Sequence, residues 1–347
     1  MIYRTIDLFS GIGGMRLGFE RACVAMGLGH SCVFASDINK NACKVYRRRF
    51  GESPDPLRDI TGVDPTSIPD FEVLLGGFPC QAFSTAGHKR GFDDTRGTLF
   101  FNVAEIISVK RPIAVLLENV RGLTHHDHGR TFSRIMGVLD DLGYKAEHAI
   151  LNSRNFGVPQ NRPRVYIVAV RRAVGEPQDG IFEFKFPGPT DSTKRLRDVL
   201  MPNPVDEVYY LSKAYWDTLV RHKKRHEDKK QGFGYLVKDG GDIASTIMCG
   251  GMGKERNLIF DESDRPLPGW ANTERIRKMT PVEWERLQGF PDGWTDAAPL
   301  SARWGLLGNS VTVNVIEAVA ARLLDEVLKA KVSSSVFGPA LSDESVV

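Results

Sequence analysis

The chain has 347 residues, 41% hydrophobic and 26% charged, with a formal net charge of +3. That length suits two domains, or one large domain with an insertion, and the balance excludes a disordered, collagen-like or disulfide-scaffold protein. The five cysteines, Cys23, Cys32, Cys43, Cys80 and Cys249, form no C-x-x-C pair, so neither a disulfide framework nor a zinc ribbon is suggested and a reducing cytosol fits.

The opening MIYRTIDLFSG lacks the basic flank, apolar stretch and small-residue cleavage site of a secretory signal. Apolar runs such as 113–117 are far shorter than the roughly 18 residues of a membrane span. A soluble, cytoplasmic protein is expected. Through residue 170, short apolar runs alternate with helical patterns, which predicts an α/β domain with a largely parallel sheet. Strands are predicted over 3–9, 32–37, 73–75, 114–117, 145–151 and 165–170. Met15, Phe19, Ala22 and Met26 recur at helical spacing and should face that sheet.

The first strand runs through Asp7-Leu8-Phe9-Ser10 into Gly11-Ile12-Gly13-Gly14 and then a helix, the arrangement that forms the ligand crevice of a doubly wound sheet. The dinucleotide fingerprint fails because Arg16 stands where its third glycine belongs, so a pyrophosphate is not indicated. Asp37, ending the second strand, is placed to accept hydrogen bonds from ribose hydroxyls, and Asp59 suits an adenine amino group. An adenosine-containing ligand without a required diphosphate is the resulting expectation.

After the third strand comes Gly-Gly-Phe-Pro-Cys-Gln-Ala-Phe-Ser at 76–84, which presents Cys80 on a turn at a strand's carboxyl end, as nucleophiles are presented. The other four cysteines read as small buried hydrophobes. Glu118 closes the apolar fourth strand, as either half of a structural salt bridge or a partly buried acid with a raised pKa. In Gln160-Asn161-Arg162-Pro163-Arg164 the two arginines, at i and i+2 in extended backbone, point to one side and could clamp a phosphate or a carbonyl oxygen.

From about 184 to 303 Pro and Gly become frequent, strand signals weaken and the charged run RHKKRHEDKK occupies 221–230, so a second, looser domain is predicted. Thr280-Pro281-Val282-Glu283 is a capping box with proline at the first helical position. Val311, Val315, Val319, Leu323 and Val327 then mark a helix packed on a sheet. Residues 331–347 are Ser-rich and aperiodic, and are expected to be disordered.

Six blocks in this order, DLFSGIGG (7–14), GGFPCQAFS (76–84), ENV (118–120), QNRPR (160–164), RKMTPVEWERLQGFP (277–291) and GNSVTVNV (308–315), resemble the DNA (cytosine-5)-methyltransferase family of bacterial type over nearly the whole chain. The resemblance implies a Rossmann-like S-adenosylmethionine-binding catalytic domain, 1–184 plus 305–330, with a small target-recognition domain inserted at 185–304. It also implies methyl transfer from S-adenosylmethionine to carbon 5 of a flipped-out cytosine in a specific short duplex sequence. Cys80 would be the nucleophile that adds to carbon 6, Glu118 the partner of the cytosine ring nitrogen and amino group, and Arg162 and Arg164 the supporting guanidinium groups. Phe9, Gly11, Gly13, Gly14, Asp37, Ile38, Asp59, Ile60, Pro79, Leu99, Asn309 and Val311 would form the cofactor pocket. Gln81, Ser84 and Gly87 lie in or beside the stretch 81–99 that resembles the family's mobile catalytic loop and would meet the DNA.

Thr246-Ile247 is similar to the dipeptide of family recognition domains, and Lys254 and Arg256 nearby are candidates for guanine edges in the major groove. The stretch 250–259 is similar to recognition segments of enzymes acting on short GG...CC palindromes. The partners implied are double-stranded DNA, met by local basic groups such as the run at 221–230 that the small net charge hides, and, if the chain is the modification half of a restriction-modification system and not an orphan methylase, a cognate restriction endonuclease sharing the site. A monomer is expected, with neither membrane nor metal; His125, His126 and His128 around Asp127 look like metal ligands only superficially. A nicotinamide oxidoreductase would leave the FPCQ and QNRPR blocks without a role, and an inactive paralogue would lack the chemistry that Cys80, Glu118 and Arg164 retain. The alternative within the family is an RNA cytosine-5 methyltransferase; its usual Cys-Phe-Thr signature does not occur.

Overall fold

The computed structural model describes residues 1–79, 99–172, 184–230, 234–250 and 253–328. Its main sheet is built from β1 (Ile2–Leu8), β2 (Gly29–Ser36), β3 (Val73–Gly76), β4 (Ala114–Val120), β5 (Tyr144–Asn152) and β7 (Pro163–Arg171), with the two-residue β6 (Gln160–Asn161) just before β7. The order is β2-β1-β3-β4-β7-β5. β2, β1, β3 and β4 are parallel to one another, whereas β7 runs antiparallel to both β4 and β5. The exception follows from chain length: the roughly ten residues joining β5 to β7 are too few for the crossover that a parallel neighbour needs. Chain direction across the sheet reverses between β1 and β3, and the carboxyl ends of these strands open a crevice there.

Four helices make the crossovers: α1 (Gly14–Ala25), α2 (Lys40–Phe50), α3 (Leu99–Lys110) and α4 (Arg130–Asp141). On one face of the sheet, Phe100, Ile106 and Ile107 of α3 and Ile135 and Leu139 of α4 close a core with Ile6, Leu74, Val115 and Ile167. On the other, Met15, Phe19 and Ala22 meet the valine stripe as predicted; Val311, Val315, Val319, Leu323 and Val327 are all buried with them. Only the terminal Met26, at the end of α1, remains partly exposed.

The second region holds α5 (Lys213–Asp228), β8 (Val237–Lys238), β9 (Ala244–Ser245), β10 (Leu258–Phe260), β11 (Ile276–Lys278) and α6 (Pro281–Leu287). β11, β10 and β8 form a three-stranded sheet, with strands only two or three residues long, which is why the sequence signals them weakly. The basic run at 221–230 is mostly the outer part of α5, a helix that carries only Trp216 and Leu219 inward and therefore lacks a clear apolar period. The capping box forms as expected: Thr280 Oγ1 accepts from Glu283 N–H at 3.2 Å, and Glu283 Oε2 accepts from Thr280 N–H at 2.7 Å. The same carboxylate is paired with the fully buried Arg277 at 2.9 Å. α7 (Leu300–Asn309) and α8 (Val313–Leu323) return the chain to the first sheet, where α8 lies on α1. Gly18 allows that close approach, since a Cβ there would sit 2.6 Å from Ile316 Cβ and 2.9 Å from the Val313 carbonyl.

Among the described residues no helix is long and apolar enough to cross a membrane. The tail expected to be disordered lies outside the described residues.

Candidate active site

A cavity of about 700 Å³ opens at the carboxyl ends of β1 to β4 and is closed on the far side by the turn between α7 and α8. Its floor is the loop 9–14. There Phe9, Gly11 and Gly13 all have positive φ, 54°, 53° and 83°, which winds the backbone tightly before α1 begins. Gly11 N–H donates to Asp37 Oδ2 at 2.8 Å, Asn39 N–H donates to Asp37 Oδ1 at 2.7 Å, and Ser10 N–H donates to the Ser36 carbonyl at 2.9 Å. Asp37 thus binds the loop to β2 and still faces the cavity. Burial pushes its carboxyl up, opposed by those backbone donors. The hydroxyls of Ser10 and Ser36 are buried in the cavity wall without a partner among the described residues, so both are unspent toward a polar ligand.

Gly14 is the point where the C-terminal turn closes on the loop: a Cβ there would meet Val311 Cγ2 at 2.8 Å. Gly13, predicted to line the pocket, does not. It faces Phe50, whose ring would be 2.2 Å from an added Cβ. Arg16, the residue that breaks the dinucleotide fingerprint, stacks its guanidinium 4.1 Å from the centroid of that same ring and pairs with Glu20 at 2.9 Å. Of the remaining predicted cofactor residues, Phe9, Ile38, Asp59, Ile60, Pro79, Leu99, Asn309 and Val311 all line the cavity. Asp59 spends one oxygen capping its own short turn, accepting from Thr61 N–H and Oγ1, which holds its carboxyl below the usual range.

Glu118 stands at the opposite wall, 9% exposed, with Oε1 3.2 Å from Arg164 Nε. Antiparallel pairing of β4 with β7 makes this contact, because it sets Glu118 opposite Tyr166 and Val120 opposite Arg164. Burial pushes the Glu118 carboxyl up, and Arg164 and then Arg162 pull it down. Both readings left open by the sequence therefore hold together: the residue is ion-paired and is also a buried acid. Its neighbour Asn119 donates through Nδ2 to the Phe78 carbonyl at 2.8 Å, which anchors the backbone two residues before Cys80. Cys80 itself, with Gln81, Ser84 and Gly87, lies outside the described residues.

Arg162 also borders the cavity, yet its guanidinium is committed elsewhere: it donates to the carbonyls of Ile247 at 2.7 Å, Gly308 at 3.1 Å and Ser310 at 2.7 Å. Burial, with Arg164 adding, pushes it down to about 9. It is a brace between segments, and Arg164 is the arginine that reaches the acid.

Cys23, Cys32 and Cys43 are buried as expected, but Cys249 is exposed and lines the cavity with Met248. The reason is Gly308: the backbone of 248–249 presses so close that a Cβ on Gly308 would lie 2.5 Å from Cys249 N, leaving the thiol at the rim. No local pattern in the sequence signals this contact. Among the predicted DNA contacts, Ile247 is fully buried, Thr246 Oγ1 donates to the Asn161 carbonyl at 2.6 Å, and Lys254 Nζ sits 4.4 Å from the centroid of the Trp304 ring. Lys254 is therefore seated on an aromatic face, and burial pushes its ammonium down. Arg256 is half-buried. His125 and His126 bond to Thr124 and Thr131, and Asp127 pairs with Arg130.

The chain as a whole is similar to known proteins. The family described as C-5 cytosine-specific DNA methylase matches residues 3–325. The Type II methyltransferase M.HpaII of Haemophilus parainfluenzae is 46% identical over 334 residues, covering 93% of this chain and 90% of that protein. M1.ScrFI of Lactococcus lactis subsp. cremoris is 41% identical, covering 95% and 80%. Among solved structures, Entamoeba histolytica EhMeth and S. pombe Dnmt2 share the fold at TM-scores of 0.70 and 0.68, with 20% and 21% identity; each covers 94% of this chain and 99% of its own.

Proposed function

The chain belongs to the C-5 cytosine-specific DNA methylase family, and from that premise we propose that its cavity receives S-adenosylmethionine on one side and a cytosine rotated out of duplex DNA on the other. It is a DNA cytosine-5 methyltransferase of the bacterial restriction-modification type, with S-adenosylmethionine as methyl donor. The observation that carries the finer reading is the buried Glu118–Arg164 pair facing the loop 9–14 across one cavity.

The cavity residues fit the donor. Asp37 offers carboxylate oxygens to ribose hydroxyls, Ser10 and Ser36 offer unspent hydroxyls to the polar end, and Ile60, Phe78 and Leu99 supply an apolar wall for the base. When bound, S-adenosylmethionine supplies a methyl group made electrophilic by its sulfonium.

The chain's own groups prepare the cytosine. Carbon 5 is a poor nucleophile until the Cys80 thiolate adds at carbon 6 and turns the ring into an enamine. Glu118, held toward its protonated form by burial, donates to the ring nitrogen as charge builds there, and Arg164 beside it stabilises the same charge. Carbon 5 of the enamine takes the methyl group as the methyl–sulfur bond breaks and the neutral thioether S-adenosylhomocysteine leaves. A base then takes the carbon 5 proton, and Cys80 departs as a thiolate while the aromatic ring is restored. The target must leave the stack first, at a cost of a few kcal/mol that protein contacts offset. Residues 185–304 are proposed to choose the target, with Arg256 and the rim residues Met248 and Cys249 nearest the DNA and the Thr246 hydroxyl turned onto the Asn161 carbonyl, and an endonuclease acting on the same sequence to be the biological counterpart.

The test is transfer of labelled methyl from S-adenosylmethionine to duplex DNA by the wild-type chain and by Cys80→Ala, with the product identified by mass. 5-Methylcytosine from the wild type and none from the variant is expected. N4-methylcytosine, N6-methyladenine, a preference for RNA, or undiminished transfer by the variant would refute the reading.

A further inference from the structure

Two segments far apart in sequence, 159–162 and 244–247, are joined at every step. β6 and β9 pair in parallel, Gln160 with Ala244 and Asn161 with Ser245. Ala244 N–H donates to the Pro159 carbonyl at 2.8 Å, and Thr246 Oγ1 donates to the Asn161 carbonyl at 2.6 Å. Ile247 is then held at both backbone atoms: its N–H donates to Gln160 Oε1 at 3.1 Å, and its carbonyl accepts from Arg162 Nη1 at 2.7 Å.

Gln160 is fully buried, and its amide orientation is determined by its partners. Its Nε2 donates to the Leu287 carbonyl at 2.9 Å and to Gln288 Oε1 at 3.2 Å. Gln288, also fully buried, donates in turn to the carbonyls of Leu307 at 2.8 Å and Ser310 at 3.0 Å. Flipping the Gln160 amide would set donor against the Ile247 N–H and acceptor against the Leu287 carbonyl, so only one orientation is satisfied.

The consequence lies at the two ends of this junction. Two residues beyond Arg162, Arg164 meets Glu118; one and two residues beyond Ile247, Met248 and Cys249 form the cavity rim. The geometry points to Gln160 as a positioning residue that couples target choice to methyl transfer by holding the segment 244–249 in register with the Glu118–Arg164 pair. A duplex that seats badly on this segment then also misplaces its cytosine against the acid, and the mismatch is felt in the rate as well as in binding. This inference rests on the reading of the second region as the part that selects the target.

The full chain and Gln160→Met are incubated with S-adenosylmethionine and plasmid DNA, and the initial methylation rate at every cytosine is read by bisulfite sequencing. The ratio of the rate at the preferred site to that at sites differing by one base pair is expected to fall by about tenfold or more, because leaving the Ile247 N–H unpaired frees the loop from the strand. A merely structural role would lower rates at all sites by one common factor, and that result, or an unchanged ratio, overturns the inference. Thr246→Val, which removes only the hydroxyl bond to Asn161, should lower the ratio in the same direction and decides the matter if Gln160→Met fails to fold. Met248→Ala separates the two levels of the argument. If it changes the ratio while Gln160→Met and Thr246→Val do not, the coupling is wrong and the recognition reading stands; if none of the three changes it, both are wrong.

Discussion

Glu118 Oε1 and Arg164 Nε lie 3.2 Å apart, with both side chains almost withdrawn from solvent. Burial raises the Glu118 carboxyl and favours its protonated form, while the neighbouring guanidinium opposes that shift and sets a fixed positive charge at the same place. Glu118→Gln keeps the shape and a donor but cannot transfer a proton. We expect kcat to fall by about 10²- to 10⁴-fold in steady-state methylation assays, with KM for S-adenosylmethionine nearly unchanged. A loss of less than about tenfold would show that the proton on this group is not used.

Asp37 does two things at once, fastening Gly11 to β2 and facing the cavity. Asp37→Ala removes a charged acceptor from two backbone donors and from the proposed ribose contacts. Equilibrium titration should give a dissociation constant for S-adenosylmethionine raised by about tenfold to a hundredfold, while binding to duplex DNA alone stays close to wild type. Equal weakening of both would mean that the loop has collapsed.

Asp7, on β1, is fully buried, and burial pushes its carboxyl well above the usual range, with Arg16 opposing. A carboxyl whose pKa rises on folding binds its proton more tightly in the folded chain than in the unfolded one. Stability therefore declines as pH climbs from the ordinary carboxylate range through the raised value. Asp7→Asn removes that decline. Urea denaturation should find the two proteins similar near pH ~4 and the variant more stable near pH ~8 by on the order of 1 kcal/mol. A gap that does not vary with pH would refute the assignment.

Gly18 is the contact point of α1 with α8. Alanine is the better helix former by about 1 kcal/mol, but its methyl group would lie 2.6 Å from Ile316 Cβ and 2.9 Å from a backbone oxygen that cannot rotate away. The clash should win, with Gly18→Ala destabilising the chain by about 1–3 kcal/mol in chemical denaturation. Against an Ile316→Gly background, which removes the clashing Cβ and Cγ2, Gly18→Ala should cost less only if the side chain, and not the Val313 carbonyl, is the main obstacle.

Much of the fold could be read from the sequence because its elements obey local rules. The inner strands β1, β3, β4 and β7 are rich in β-branched and aliphatic residues, and the stripe Val311 to Val327 states its own burial by spacing alone. Asp37 and Glu118 were legible for a related reason, since a carboxylate ending an apolar strand is conspicuous. What stayed hidden depends on partners distant in the chain. Arg162 and Arg164 are alike in local sequence, and it is the bonds of Arg162 to the carbonyls of Ile247, Gly308 and Ser310, 85 to 148 positions away, that make it a brace. Lys254 rests on Trp304, 50 positions away, a contact that no local pattern announces. Cys249, in a bend, is pressed to the rim by Gly308 of α7, and α5 carries too few inward apolar residues to announce itself.

The closing of the cavity by Asn309 and Val311, and the packing of α8 on α1, also bear on how the protein is made. The loop 9–14 leaves the ribosome first, but the wall that covers it follows about three hundred residues later. Until then the nascent chain carries an unfinished sheet face, with Phe19 and Ala22 uncovered, and the second region must emerge and fold beside it. Completing that long-range contact is the slow, late step expected of a topology in which α1 and α8, about three hundred residues apart, are neighbours, and the cavity is whole only after it.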